Sequence, residues 1–303
     1  MRRRIGMRDI RSALSGVKGV VRFREPMSLY TSFRIGGPAD ALIEPEDEEA
    51  LRLLMVNVRK AKVPVFVMGG TNLLVRDGGI RGIVVRLTKF DRIEEREGGL
   101  LYVQGGVGMP RLLKYALQRK LAGLEFAAGI PGTLAGSIVM NAGTRLGEMK
   151  DVVQQVRMVT TVGELCELSA DEVGFEYRRT RLPEGIIVGA WLRLRWDPAA
   201  RSEALVKEAL HRRKATQPLA LPNAGCVFKN PGGEPAGWLI ETAGLKGAQI
   251  GDAQVSSLHA NFIVNRGHAT ARDVLALIRK VGQTVEEKTG VTLQLEVKIV
   301  GRA

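Results

Sequence analysis

The sequence predicts an α+β protein of two or three lobes, and three observations carry that expectation. Leu51, Leu54, Met55 and Val58 repeat at helical spacing over 47–62, between short apolar runs at 41–45 and 64–68, so the first lobe reads as βαβ. The middle of the chain turns to β, with runs at 152–161, 165–168 and 186–196, the last of them alternating well. The last hundred residues mix helical stripes with strands again. At 303 residues and 45% apolar, the chain is long enough to bury a full core and to divide. The boundaries expected are a basic leader over 1–25, a first domain over 26–197 with lobes at about 26–88 and 89–197, and a C-terminal domain over 198–303.

Charge raises a different class of function. The net charge of +13 suits a nucleic-acid binder. Its distribution argues against one: up to Glu25, eight Lys/Arg stand against only Asp9 and Glu25, in a segment not expected in the core, and the rest is scattered, with a small cluster at Arg212, Arg213 and Lys214. Aromatics that could stack on bases make up only 5% of the chain. Anionic small molecules in a basic cleft fit better. The leader lacks a long apolar core behind its charges, so it does not read as a secretory signal, and a cytoplasmic location is expected. Two distant cysteines, Cys166 and Cys226, and three scattered histidines support neither a disulfide framework nor a metal site.

Taken in order, the first lobe opens with Ser32-Phe-Arg-Ile-Gly-Gly-Pro-Ala-Asp40 before its βαβ unit. The strand at 64–68 runs into Gly69-Gly-Thr-Asn-Leu-Leu-Val75, a glycine loop at a strand's carboxyl end, where α/β sheets bind ligands. It is no P-loop, because the Gly-Lys-Ser/Thr ending is missing, and no G-x-G-x-x-G opens a helix. In the second lobe come a strand at 100–104, a helix opened by Pro110 and closed by Gly123 with the stripe Leu113, Ala116, Leu117 and Leu121, and then Gly129-Ile-Pro-Gly-Thr-Leu-Ala-Gly-Ser-Ile-Val-Met-Asn-Ala-Gly143. That uncharged stretch is too rich in glycine and polar groups for a membrane span. It reads either as a nest of free backbone amides for a phosphate or as a tight buried turn. A cationic segment, Val173 to Arg181, lies between strands. A basic helix over 200–216 leads to Gly225-Cys-Val-Phe-Lys-Asn-Pro231, a helix over 234–244, a helix from a Thr270/Asp273 capping box with the stripe Val274, Leu277, Ile278, Val281 and Val285, and a closing strand over 291–300 with Val291, Leu293, Leu295, Val297 and Ile299 inward.

Four of these runs, from Ser32, Gly69, Gly129 and Gly225, occur in this order and together resemble the UDP-N-acetylmuramate dehydrogenase family, also called UDP-N-acetylenolpyruvoylglucosamine reductase. The resemblance covers about 30–301. It implies a two-lobed FAD-binding domain of the vanillyl-alcohol-oxidase type plus a C-terminal α/β substrate-binding domain, NADPH as hydride source, and UDP-N-acetylglucosamine enolpyruvate as substrate, with no nucleic acid and no membrane span. The compact run 196–221 matches the form of the family without an extra tyrosine loop. The expected oligomeric state is a monomer. The rivals are another FAD oxidoreductase of this fold acting on a sugar or hydroxy acid and, from another class, a basic nucleic-acid-binding protein.

By this resemblance Arg178 binds the substrate carboxylate, Cys226 donates a proton and Glu296 is the catalytic glutamate, whereas many relatives carry serine where Cys226 stands. Gly69, Gly70, Thr71, Asn72, Leu73 and Leu74, with Pro131, Gly132, Gly136, Ser137, Asn141, Ala142 and Gly143, are expected to hold FAD, noncovalently because neither loop contains histidine or cysteine. Tyr177, Lys229 and Asn230 are expected at the nucleotide sugar. Each role has a plainer rival: a solvated loop arginine, a solvated strand glutamate, a small cysteine buried in a turn.

Overall fold

The computed structural model describes residues 5–69 and 71–303. The chain forms two compact units interleaved in sequence: one takes the chain up to Phe23 with Ala41–Gly70 and Gly82–His211, and the other takes Arg24–Asp40, Thr71–Arg81 and Arg212–Ala303. The compact units therefore do not divide at 25 and 197, because two early segments fold with the C-terminal part. In chain order the elements are α1 (Met7–Ala13), β1 (Gly19–Pro26), β2 (Pro38–Pro45), α2 (Glu48–Ala61), β3 (Val65–Val67), β4 (Leu73–Val75), β5 (Ile80–Val85), β6 (Ile93–Arg96), β7 (Leu100–Gln104), α3 (Met109–Gln118) and β8 (Leu121–Ala122). The middle holds α4 (Leu134–Val139), β9 (Gly143–Thr144), β10 (Gly147–Glu148), β11 (Val153–Thr160), β12 (Leu165–Ser169), α5 (Ala170–Val173), β13 (Phe175–Glu176), β14 (Arg179–Thr180), β15 (Gly185–Arg193) and β16 (Arg195–Trp196). The chain closes with α6 (Arg201–Thr216), β17 (Asn223–Cys226), α7 (Ala236–Thr242), β18 (Gln249–Ile250), β19 (Ala253–Val255), β20 (Phe262–Asn265), α8 (Ala271–Thr289) and β21 (Lys298–Val300).

In the first unit, α2 begins where the Asp47 side chain accepts from the Ala50 amide at 2.8 Å and ends where Lys62 turns left-handed, φ 54°. Its buried stripe is the expected one, Leu51, Leu54, Met55 and Val58. Strands β1-β2-β5-β3 form one sheet, with β3 parallel to β5 at its edge. Strands β12-β11-β15-β7-β6 form an antiparallel sheet, and Arg157 on β11 forks onto Glu48 of α2 with two 3.0 Å bonds.

Two expectations for this unit need correction. Residues 7–13 are not a leader outside the core: Ile10 and Ala13 of α1 are buried with Leu51 and Leu54, and Asn57 Nδ2 on α2 donates to the Ser15 carbonyl at 3.1 Å. Ile10, Leu14 and Val17 do recur at helical spacing, but over too few residues to stand out against the surrounding arginines. Helix α3 also stops before Gly123. Lys120 turns left-handed at φ 53°, and Leu121, instead of extending the helical stripe, pairs with Trp196 in a short antiparallel ladder.

The second unit is built on α8, whose whole predicted stripe is buried and whose N-terminus carries the Thr270/Asp273 capping box. Asp77 strengthens that start by accepting from the Ala271 and Arg272 amides at 2.9 and 3.0 Å, where a carboxylate also meets the favourable end of the helix dipole. Strands β17-β20-β19-β18 form an antiparallel sheet, and β21 runs parallel to β4 with Ile299 opposite Leu74. The closing strand is shorter than expected. Only Lys298–Val300 is regular, Leu295 is exposed, and the run ahead of β21 is held by separate bonds to the chain just after Cys226. These isolated bonds do not add up to a ladder that would keep 291–297 regular.

Candidate active site

The glycine-rich stretch folds differently from an open nest of amides. Thr133 caps α4, and the amides of Thr133, Leu134, Ala135, Gly136, Ser137, Asn141 and Ala142 all donate within the protein. Ser137 and Asn141 are buried, so their side chains do not present themselves to a ligand. What the stretch does supply is a close approach. The Thr133 amide and hydroxyl both donate to the Gly69 carbonyl at 3.0 Å, and a Cβ at position 69 would come within 2.8 Å of Thr133 Oγ1. The two glycine loops therefore meet at Gly69, at the carboxyl end of β3, while Pro131 is exposed and Gly132 half-exposed. Gly70 lies outside the described residues.

Arg178 sits at the tip of a small hairpin in the first unit, β13–β14, where Glu176 pairs with Arg179 and leaves Tyr177 and Arg178 as the connection. Its φ is 58°, left-handed backbone that costs an ordinary residue about 1–2 kcal/mol. The surrounding contacts sort the arginine run. Arg179 and Arg181 both pair with the Glu176 carboxylate, whereas Arg178 Nη2 donates to the Gly143 carbonyl at 2.9 Å and Nη1 to the Asn141 carbonyl at 3.5 Å. Its guanidinium also lies 5.0 Å from the centre of the half-exposed Tyr177 ring. Arg178 is thus oriented by the end of the glycine stretch rather than left as a solvated loop arginine.

Cys226, Lys229, Asn230 and Glu296 all belong to the second unit. Cys226 ends β17 opposite Phe262, just after Gly225 at φ 76°. The next carbonyl, that of Val227, accepts from the Glu296 amide at 2.8 Å, so the thiol-bearing and carboxylate-bearing segments are joined by backbone one residue from each side chain. The Lys229 amide donates to the Gln294 carbonyl at 2.8 Å, and Asn230 Oδ1 accepts from the Ala236 amide at 3.1 Å, starting α7. The second glycine loop reaches the same place. Asn72 Nδ2 donates to the Glu296 carbonyl at 3.2 Å, Ser32 holds the Thr71 carbonyl at 2.7 Å, and Leu73 and Leu74 are buried in β4, which leaves only their backbone for a ligand.

Two residues of this unit were not expected at a site. Asn261, 2% exposed, accepts from the Phe228 amide at 3.0 Å and donates to the Phe228 carbonyl at 2.8 Å, pinning the run that carries Cys226 and Lys229. The signal was an asparagine inside an apolar strand sequence, where an unsatisfied amide would be costly. Arg213 is the second. Burial pushes its guanidinium below the usual arginine range, while the charge of Cys226 acts in the opposite direction.

The family model described as UDP-N-acetylenolpyruvoylglucosamine reductase, C-terminal domain, matches residues 217–300, and one described as FAD binding domain matches residues 39–169. The chain is 49% identical over 287 residues to UDP-N-acetylenolpyruvoylglucosamine reductase 2 of Symbiobacterium thermophilum, covering 93% of each chain. This chain belongs to the UDP-N-acetylenolpyruvoylglucosamine reductase family. The reductase of Anaeromyxobacter sp. (strain K) is 47% identical over 91% of this chain and 84% of its own. The crystal structure of the Thermus caldophilus reductase superposes with a TM-score of 0.80 at 36% identity, covering 94% of this chain and 99% of that one.

A family member is a flavin-dependent oxidoreductase, and the residues of this chain fit the dinucleotide. Strand β3 keeps Val65, Phe66 and Val67 half-exposed at a sheet edge and is followed two residues later by Gly69, where a Cβ would crowd the Thr133 hydroxyl, with Pro131 and Gly132 beside it. Among the described residues there is no group of three His, Cys, Asp or Glu suited to a metal, and no helix long and apolar enough to cross a membrane.

Proposed function

We infer that this chain uses NADPH to reduce UDP-N-acetylglucosamine enolpyruvate to UDP-N-acetylmuramate, the lactyl ether needed for peptidoglycan, in the cytoplasm. Bound FAD supplies the chemistry of accepting hydride from NADPH and passing it to the substrate's methylene carbon. The observation that carries the reading is the backbone link between the Cys226 and Glu296 segments through Val227, in a chain 49% identical to a reductase of that name.

The remaining work falls to the protein. Hydride arriving at the methylene carbon leaves an electron pair on the carbon that bears the carboxylate, so negative charge grows there until a proton arrives. Arg178, its plane set by the Asn141 and Gly143 carbonyls, is the group assigned to that carboxylate, since a fixed cation at developing charge lowers the barrier without reorganisation. Cys226 is assigned as the proton donor, because a thiol with an ordinary pKa of about 8.5 is mostly protonated at neutral pH. Arg213 would stabilise the thiolate left behind. Glu296, held at its backbone by Val227 and Asn72, is assigned to the substrate's carboxylate end, and Lys229, Asn230 and Tyr177 to the nucleotide sugar. Backbone of the loop at 69–74, with Pro131 and Gly132, is assigned to FAD, within a domain that includes the 39–169 match, and the 217–300 match lies within the substrate domain.

A spectrum of the purified protein tests the reading. Flavin bands near 375 and 450 nm (approximate, common to flavins) should bleach with NADPH and return on adding the enolpyruvyl substrate, with UDP-N-acetylmuramate formed. A colourless protein, or bands that NADPH bleaches and the enolpyruvyl compound never restores, would remove it.

A further inference from the structure

We propose that the Asn141 side chain is a positioning residue that holds Arg178 in its working orientation. Asn141 is 1% exposed, and every polar atom of its amide is used within the protein. Its Oδ1 accepts from the Lys150 amide at 3.1 Å, and its Nδ2 donates to the Glu176 carbonyl at 3.1 Å. Glu176 is the last paired residue before the Tyr177-Arg178 connection, so the asparagine grips the hairpin two residues from the arginine. The backbone of the same residue completes the clamp, since the Asn141 carbonyl accepts from Arg178 Nη1 and the Gly143 carbonyl accepts from Nη2.

The conformation of Asn141 makes this possible. Its φ is 40°, a left-handed backbone that asparagine tolerates better than other residues with side chains. That turn ends α4 and lets residues 141 and 143 both point carbonyls at the guanidinium. Arg178 is itself held left-handed, at φ 58°, and a strained tip on a two-residue connection keeps that geometry only when its surroundings over-determine it. The hairpin has only two paired positions of its own, Phe175 with Thr180 and Glu176 with Arg179. Thr180 Oγ1 donates to the Val139 carbonyl at 3.2 Å on the other strand, so Asn141 is the buried anchor on the arginine's side of the turn.

This inference rests on the assignment of Arg178 to the substrate carboxylate, and a double-mutant cycle separates the two. Asn141→Gly keeps the left-handed backbone and both carbonyls but removes the amide anchors. Stopped-flow reoxidation of the bound flavin by the enolpyruvyl substrate is measured in the parent, Asn141→Gly, Arg178→Ala and the double variant, after melting and flavin content are checked. Misplacement of the guanidinium should slow reoxidation about 10–100-fold in the parent background, in line with what small displacements cost a catalytic group. In the Arg178→Ala background the same substitution should cost less than about twofold, because the group it positions is gone. An equal loss in both backgrounds, or none in the parent, overturns the role of Asn141. A parental rate for Arg178→Ala instead overturns the assignment of Arg178. If Asn141→Gly loses its flavin, Asn141→Asp carries the cycle: it keeps an acceptor for the Lys150 amide and loses the donor to Glu176. Loss of flavin from both variants also overturns the proposal, making Asn141 a residue of general folding.

Discussion

At the scale of single residues, the candidate chemistry depends on how ordinary side chains are held. Cys226 is half-buried and ends a strand, and what distinguishes it is the half-buried Arg213 charge acting on it. Two predictions follow from that pairing. Cys226→Ala should leave bleaching of the flavin by NADPH nearly intact and slow reoxidation by the enolpyruvyl substrate by about 10²–10⁴-fold, the usual cost of losing a general acid, while Cys226→Ser retains much of the rate. Stopped-flow absorbance resolves the two steps, and a parental rate for the alanine variant would make Cys226 structural. In a Cys166→Ser background, Arg213→Met should slow alkylation of Cys226 by iodoacetamide near pH 8, because removing the cation makes the thiolate less favourable. Alkylation at an unchanged or faster rate would show that Arg213 does not act on the sulfur. Cys226 was marked in the sequence by the run it stands in, but Arg213 was not. It stood in a basic cluster with Arg212 and Lys214, and only folding half-buries one member of the three.

At the scale of elements, helices announced themselves and short contacts did not. The stripes of α2 and α8 and the caps at Asp47 and Thr270 were readable because burial against one face imposes a 3.6-residue period. Helix α1 was misjudged because seven residues span barely two turns. Its structure reverses the expectation that the N-terminal segment lies outside the core. Ile10→Asp should destabilise the protein by at least the roughly 2–5 kcal/mol of truncating a buried isoleucine, since it also buries a charge. A melting temperature within a degree of the parent would place α1 outside the cooperative core. The segment from 291 to 297 erred in the other direction. Its alternating residues predict a strand, but the structure supplies separate bonds with Val227, Lys229 and Asn72, so the alternation never becomes a ladder.

At the scale of the whole molecule, pH dependence comes from burial of a histidine that has no assigned part in the chemistry. His259 packs 4.9 Å from the Phe262 ring, and its Nδ1 accepts from the Asn261 amide at 3.2 Å. Burial pushes its pKa below the usual histidine value, nearby Lys246 pushes it further, and Glu241 opposes. A histidine depressed in the folded state binds its proton more readily when unfolded. Stability should therefore hold above about pH 6.5, the ordinary histidine pKa, and fall as pH drops from there towards the depressed folded value. Melting temperatures from pH 7.5 to 5 should show that slope, and His259→Gln should flatten it. An equal slope in the variant would assign the effect to carboxylates.

The sequence by itself determined the α+β class, the principal helices and, through four runs in fixed order, the family. Those features depend on local periodicity, capping and residue identity, which are written along the chain. Tertiary structure decided what the runs do to one another. The glycine stretch spends its amides internally and offers carbonyls to Arg178, and Asn72 holds Glu296 by its backbone from 224 positions away. It also decided that 24–40 and 71–81 fold with the C-terminal unit rather than with their neighbours in sequence. A hydrogen bond between distant residues leaves no period in either segment, so such partners become legible only once the chain has folded.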